Sequence, residues 1–158
     1  MIPYGKHFIE EDDIDAVVQV LRSNHLTQGP AVEVFENKIA EYTGATFAVA
    51  VANGTAGLHL AYLAAEVKEG STVLTTPITF VATANAAYYC GGSVEFVDIN
   101  PQTLNLSADK ACNRMEAGGI DVLAPVHFAG LPCDMEQLSN TARNCGCIVV
   151  EDAAHALG

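Results

Sequence analysis

The sequence predicts an α/β fold with a mainly parallel sheet and crossover helices. Half of the 158 residues are hydrophobic and 16% are charged, which is the balance of a globular chain with a sizeable core. Short β-branched apolar runs alternate along the chain with longer runs of helical character. This alternation leaves a helix-length crossover between successive strands, as parallel pairing requires.

Two helices are expected at the N-terminal end, over residues 10–24 and 30–44. The first repeats apolar residues at helical spacing behind an acidic first turn. The second begins with Pro30, a residue that suits the first helical position, and ends at Gly44.

Strands and helices alternate over the rest of the chain. Strands are expected at residues 46–53, 71–77, 93–100, 121–128 and 147–152. Helices are expected at residues 54–67, 79–92, 108–117 and 134–146, the last two capped by Ser107 and Asp134. Ligands of such sheets bind beyond the carboxyl ends of the strands. Three polar clusters occupy such positions: Asn53–Thr55, Thr76–Phe80 and Glu151–His155.

Charge and composition exclude several classes of partner. The net charge of −12 disfavours nucleic acid and anionic membranes. No apolar run reaches the roughly 18 residues of a membrane-spanning helix, and the N-terminal segment carries acids where a signal peptide needs an apolar core. The five cysteines form no C-x-x-C pair, which indicates reduced thiols and, with the other features, a cytoplasmic protein.

The first polar cluster lies where a predicted strand runs into a helix through Asn-Gly-Thr-Ala-Gly. Gly54, Thr55 and Ala56 would offer free N–H groups at the positive end of the helix dipole, a site for a phosphate that needs no lysine. The alternative is a tight turn capped by Asn53 or Thr55. Neither G-x-G-x-x-G nor G-x-x-x-x-G-K-[ST] occurs, so the usual dinucleotide and triphosphate motifs are absent.

The other two clusters each allow more than one interpretation. Phe80 follows a strand, where it could stack on a planar ring or belong to the core. Asp152 follows a buried strand, where it could pair with a protonated heteroaromatic nitrogen, bind a metal together with His155, or cap the next segment.

The three clusters together resemble a known family. The stretches ANGTAGLHLA, TTPITFVATANAA, VEFVDINPQTLNL, PVHFAGLPCDM and VEDAAHALG occur in order and at the spacing of the DegT-type sugar-nucleotide aminotransferases. These are enzymes of fold type I that use pyridoxal 5′-phosphate (PLP). The resemblance covers the whole chain and is strongest to enzymes that aminate C4 of UDP-4-keto-6-deoxy-N-acetylhexosamines on the pseudaminic-acid route.

The resemblance implies a role for each site residue. Gly54, Thr55 and Ala56 correspond to the residues that hold the PLP phosphate. Phe80 corresponds to the aromatic side chain on the pyridine face. Asp152 corresponds to the acid that pairs with the pyridine nitrogen, His155 lies near the 3′ oxygen, and Glu151 supports them. A weaker correspondence places Tyr4, Thr27 and Gly29 beside the sugar nucleotide.

The resemblance also implies that the chain is an N-terminal fragment. Residues 1–30 would form an N-terminal helix and substrate-side segment, and residues 31–158 an incomplete PLP-binding large domain without the small C-terminal domain. The Schiff-base lysine is expected beyond Gly158, because none of the lysines follows Asp152; they are Lys6, Lys38, Lys68 and Lys110. The fragment alone is therefore not expected to turn over.

The implied reaction moves an amino group from an amino acid, glutamate, to a UDP-linked 4-keto sugar. The full-length enzyme is expected to be a homodimer. Three alternatives remain open at this point. The protein could be a sugar dehydratase that uses pyridoxamine phosphate (PMP) or a non-catalytic protein of the same fold. It could also be a nucleotide-binding α/β module that does not use PLP.

Overall fold

The computed structural model describes residues 7–157, which divide into two compact units between Ala50 and Val51. The division of the chain into residues 1–30 and 31–158, which the resemblance implies, stays a prediction. None of the helices within residues 7–157 combines the length and apolar character that crossing a membrane requires.

The first unit contains two helices, α1 (Glu11–Arg22) and α2 (Pro30–Thr43), where helices were predicted. At the start of α1 the backbone N–H of Glu10 donates to Asp13 Oδ2 at 2.9 Å. Gly44 ends α2 in the left-handed conformation at φ 71°. Neither helix contains a buried residue, so the apolar side of α1 is exposed within this unit.

The predicted strand at 46–53 is wrong, because this segment pairs with no strand of the described chain. Phe47 is 85% exposed and Val49 is 75% exposed. The N–H of Ala50 donates instead to the Glu36 carboxylate at 2.7 Å. β-branched residues favour an extended backbone, but a strand also needs a neighbour to bond its N–H and C=O groups.

The second unit is built on a four-stranded parallel sheet, and its strands are β1 (Thr72–Thr75), β2 (Ser93–Phe96), β3 (Val122–Leu123) and β4 (Ile148–Val149). Their order is β2-β1-β3-β4, and all three pairings are parallel, which confirms the predicted sheet type. The strands are shorter than predicted. Pro125 follows β3 and has no N–H to donate, and beyond it only a bridge between Val126 and Asp152 continues the pairing.

Four helices cover this sheet, and they are α3 (Gly54–Ala64), α4 (Ala82–Tyr89), α5 (Ala108–Glu116) and α6 (Met135–Cys145). Each was predicted at its place in the chain. The side chain of Asp134 caps α6 by accepting a hydrogen bond from the N–H of Gln137. The side chain of Ser107 makes no capping hydrogen bond at the start of α5.

The core has two layers because neighbouring residues of a strand point to opposite faces. Val73 and Val122 pack with Tyr62 of α3 and the alanines of α4. Leu74 and Leu123 pack with buried residues of α5 and α6. Helices on both faces leave the carboxyl edge of the sheet open to a ligand, as is usual for doubly covered parallel sheets.

Candidate functional site

A cavity of about 880 Å³ lies at the carboxyl edge of the sheet, and the residues that follow β1, β3 and β4 line it. The start of α3 contributes to the same cavity. Residues that were far apart in the sequence therefore meet: Thr55 and Asp152 are 97 positions apart, and both line the cavity. The lining includes Gly54, Thr55, Phe80, His127, Asp152 and His155.

The N-terminus of α3 offers fewer free donors than the sequence suggested. The N–H of Ala56 donates to the Asn53 side chain at 2.9 Å, so it is not free, and Ala56 does not line the cavity. Within the described chain the N–H groups of Gly54 and Thr55 make no hydrogen bond. Gly54 does not adopt a positive φ, and a Cβ at this position would meet no atom within 4 Å.

Asp152 is half-buried at the end of the sheet, and hydrogen bonds hold both its backbone and its carboxylate. Its N–H donates to Pro125 O at 2.9 Å, and its carbonyl accepts from the N–H of His127 at 3.1 Å. Oδ2 accepts from the Thr83 hydroxyl at 2.7 Å, and Oδ1 accepts a longer bond of 3.3 Å from the N–H of Ala154. The carboxylate forms no ion pair within residues 7–157.

The interpretation of Asp152 and His155 as metal ligands finds no support in the geometry. Across residues 7–157 no group of three or more His, Cys, Asp or Glu side chains is placed to hold a metal ion. A hydrogen bond from the N–H of Ala154 to Asp152 Oδ1 does cap the next segment, but it uses only one of the two carboxylate oxygens.

Phe80 is 73% exposed and lines the cavity, so it does not belong to the core. An exposed aromatic ring beside a cavity is available to stack on a planar ligand. His155 also lines the cavity and is exposed. The carbonyl of His155 approaches Gly130 so closely that a Cβ there would lie 2.9 Å from the oxygen.

His127 has a larger part in this site than the sequence indicated. It is only 5% exposed, and its Nε2 lies 2.9 Å from Glu151 Oε2. Its Nδ1 accepts from the N–H of Cys133 at 3.2 Å, so Nδ1 carries no proton and Nε2 donates to the carboxylate. Glu151 thereby supports the strand end next to Asp152. The only signal for His127 in the sequence was its position at the end of a predicted strand.

Thr83 was also not singled out as a site residue. It is completely buried near the start of α4, and its hydroxyl is the shortest contact to Asp152. Thr79 precedes α4, and its hydroxyl lies 2.7 Å from that of Thr83, but the sequence does not show which carboxylate these hydroxyls face.

Two of the weaker substrate positions, Thr27 and Gly29, belong to the first unit. Tyr4 falls outside the described residues. Gly29 lines a separate cavity of about 460 Å³ within the first unit, and Thr27 does not line it. Of the described lysines, none lines the larger cavity; Lys6 lies outside the described residues.

Residues of this site fit a flat, phosphorylated ring. The unbonded N–H groups of Gly54 and Thr55, together with the Thr55 hydroxyl, lie at one part of the cavity. The carboxylate of Asp152, which has no cationic partner in the described chain, lies at another. No arginine or lysine lines the cavity within the described chain, so the N-terminus of α3 is the group that these residues offer to a phosphate.

Comparison with known proteins agrees with this geometry. Residues 7–158 match the DegT/DnrJ/EryC1/StrS aminotransferase family. A UDP-4-amino-4,6-dideoxy-N-acetyl-beta-L-altrosamine transaminase of Campylobacter jejuni subsp. jejuni serotype O:23/36 is 41% identical over 162 residues, which is all of this chain and 42% of that protein. The spore coat polysaccharide biosynthesis protein SpsC of Bacillus subtilis is 40% identical, over 99% of this chain and 40% of that protein.

Solved structures share the fold. The 3-amino-5-hydroxybenzoic acid synthase superposes with a TM-score of 0.89 at 31% identity, covering 95% of this chain and 39% of that one. NtdA of Bacillus subtilis, solved with bound PMP, has a TM-score of 0.86 at 32% identity and covers 94% and 34%. The structural neighbours are PLP-dependent aminotransferases of fold type I, which confirms the predicted fold class.

The chain spans about 40% of the length of the curated relatives it matches. Within that length, the match to the family runs from residue 7 to residue 158, and the carboxyl-edge cavity falls inside it. The chain belongs to the DegT/DnrJ/EryC1/StrS aminotransferase family.

Proposed function

We propose that the whole protein is a PLP-dependent aminotransferase that acts on a keto sugar nucleotide. The observation that carries this proposal is the cavity that joins the free N-terminus of α3 to the carboxylate of Asp152. Family membership and the transaminase relatives support the reaction class.

Under this proposal, the residues of the cavity hold PLP in one orientation. Thr55 and the N–H groups at the start of α3 bind the phosphate, and Phe80 packs on a face of the ring. Asp152 lies at the ring nitrogen, where its negative charge favours the protonated form. His155 lies near the ring oxygen. When bound, PLP supplies the electron sink that amino-group transfer requires.

The proposed substrate is a UDP-linked 4-keto-6-deoxy-N-acetylhexosamine, with glutamate as the amino donor. The name of the Campylobacter jejuni relative supports this substrate class, and the product would serve pseudaminic-acid biosynthesis. SpsC supports the broader role in surface polysaccharide formation. A cytoplasmic homodimer completes the proposal.

The proposal also assigns the Schiff-base lysine to a part of the protein outside these 158 residues. Lys110 of α5 pairs with Asp98 at 2.6 Å, and the other described lysines, Lys38 and Lys68, do not line the cavity either. The 158-residue chain by itself is therefore expected to hold the cofactor without turning over.

The test combines spectroscopy with an assay. The whole protein with PLP should absorb at about 400–430 nm. Borohydride reduction followed by peptide mapping should identify a pyridoxyl-lysine. Mixed with glutamate and the UDP-4-keto sugar, it should release 2-oxoglutarate and the 4-amino sugar. Absence of a pyridoxyl-lysine together with sugar dehydration would instead indicate a PMP-dependent dehydratase. Binding of PLP without either reaction would indicate a non-catalytic relative.

The 158-residue chain assayed alone provides the control. Sustained amination by this chain without added sequence would contradict the assignment of the lysine.

A further inference from the structure

We infer that Thr83 is a positioning residue that sets the orientation of the Asp152 carboxylate, and that Thr79 supports it through a second hydroxyl. This inference rests on the proposed function, since it concerns how Asp152 meets the ring nitrogen of the cofactor. The structure shows three groups in series. Thr83 Oγ1 lies 2.7 Å from Asp152 Oδ2, and Thr79 Oγ1 lies 2.7 Å from Thr83 Oγ1.

The direction of these hydrogen bonds follows from their protons. A carboxylate has no proton to give, so the single hydroxyl proton of Thr83 points to Asp152. Thr83 can then only accept from Thr79, whose own proton makes this 2.7 Å bond in preference to the 3.2 Å contact with the carbonyl of Phe80. Hydrogen bonds in series polarise one another, so the outer hydroxyl strengthens the inner one.

The placement of Thr83 is not explained by the stability of α4 alone. A threonine in a helix commonly turns its hydroxyl back to a carbonyl three or four residues earlier. Thr83 instead donates to a side chain 69 positions away in the sequence, at the end of another element. Its side chain is completely buried, so its hydroxyl finds its partner inside the protein and not in solvent.

A buried tyrosine of α3 holds the backbone at the same point. The hydroxyl of Tyr62 donates to the carbonyl of Thr83 at 2.9 Å. Burial, and then the charge of Asp152, raise the pKa of Tyr62 far above its ordinary value, so the phenol keeps its proton and remains a donor. Thr83 therefore reaches Asp152 from a fixed backbone.

The other carboxylate oxygen is held much less firmly. Asp152 Oδ1 accepts only the 3.3 Å bond from Ala154, in a segment whose neighbours are exposed. Without the Thr83 hydroxyl, rotation of the carboxylate about its own axis would be opposed by this one long bond. Thr83 thus decides which edge of the carboxylate faces the cavity.

The experiment uses the whole protein and PMP, the amine form of the cofactor, which binds without a lysine. Thr83→Val keeps the shape of the side chain and removes the hydroxyl, whereas Thr83→Ser keeps the hydroxyl. Thr79→Val removes only the outer hydroxyl. Thr75→Val is the matched control, because Thr75 is also fully buried but donates to the carbonyl of Ala124 and does not line the cavity.

Equilibrium dialysis and the nitrogen-15 chemical shift of labelled PMP are the measurements. Thr83→Val should weaken PMP binding by about tenfold, the value of one hydrogen bond to a charged group. It should also lower the pH at which the ring nitrogen loses its proton, because a misoriented carboxylate stabilises the protonated ring less well. Thr83→Ser should restore both values, Thr79→Val should give a smaller change in the same direction, and Thr75→Val should change neither.

Each outcome decides between the inference and the function on which it rests. If the unmodified protein binds no PMP, the proposed function is wrong and the inference falls with it. If it binds PMP and Thr83→Val leaves the affinity and the ring-nitrogen titration unchanged, only the inference is wrong. Should Thr83→Val fail to fold, Thr79→Val decides by the ring-nitrogen titration alone, since Thr79 is half-buried but itself lines the cavity.

Discussion

Asp152 is the residue on which the proposed chemistry of this site depends. A half-buried carboxylate is costly unless a donor or a cation accompanies it. Within residues 7–157 its oxygens receive one hydroxyl and one backbone N–H but no cation. The negative charge that remains unpaired is available to a cationic group of a ligand, and under the proposed function that group is the protonated ring nitrogen of the cofactor.

Replacement of this carboxylate tests the claim directly. In the whole protein Asp152→Asn preserves the shape of the side chain but removes its charge, so turnover should fall by at least about a hundredfold. The melting temperature should change by only a few degrees. Steady-state amination kinetics and thermal unfolding give the two values. Asp15→Asn, at an exposed position of α1, serves as the control. Near-normal turnover of the Asp152 variant would contradict the central role proposed for Asp152.

Other residues around Asp152 show what a sequence does not reveal. The roles of Thr83 and His127 arise from hydrogen bonds that span 69 and 24 positions. Neither a threonine near a helix start nor a histidine after a strand identifies its hydrogen-bond partner in the sequence. Their partners become visible only when α4 and the strand ends lie side by side.

At the scale of elements, one ion pair ties a strand to the helix that follows it. Arg114 of α5 contacts both carboxylate oxygens of Glu95 in β2, at 2.6 and 2.7 Å. The same guanidinium donates to the carbonyl of Gly118 just beyond the helix. The hydrogen bonds from Arg114 hold the pKa of Glu95 below its ordinary value.

This pair should give the stability a pH dependence of known sign. A carboxyl with a depressed pKa stabilises the fold above the ordinary glutamate pKa of about 4.3, and that contribution is lost as the pH falls through the folded-state value. Glu95→Gln should therefore lower the unfolding midpoint by about one or two degrees at pH 7. The difference from the parent chain should close on acidification towards pH 3.

Glu116→Gln is the matched control for this prediction, because Glu116 is an exposed glutamate of α5 outside the ion pair. Thermal unfolding followed by circular dichroism at several pH values measures both variants. A difference between Glu95→Gln and the parent that grows on acidification would contradict the assigned sign.

At the scale of the whole molecule, burial differs sharply between the two units. The second unit contains both core clusters, with fully buried residues in β1 and β3. The first unit contains no buried residue in either helix. Local stability follows buried apolar contact, so the two units should open at very different free energies.

Amide hydrogen exchange on the 158-residue chain measures this difference. The amides of β1 and β3 should exchange slowly, and those of α1 and α2 should exchange faster by at least about tenfold. Equal protection in both units would show that the apolar side chains of α1 are covered in solution, through contacts that neither unit makes by itself.

The residues alone predicted the six α-helices of the described chain, the parallel sheet and the three polar clusters that contribute to the cavity, because periodicity and chain punctuation are local properties. The residues offered a phosphate site and a ring-nitrogen partner only as alternatives, and the resemblance singled these out as the proposed roles. The unpaired segment at 46–53, the bond that occupies Ala56, and the contacts of Thr83 and His127 were decided only in three dimensions. Pairing partners and buried hydrogen bonds depend on which distant elements become neighbours, and that is a property of the folded chain.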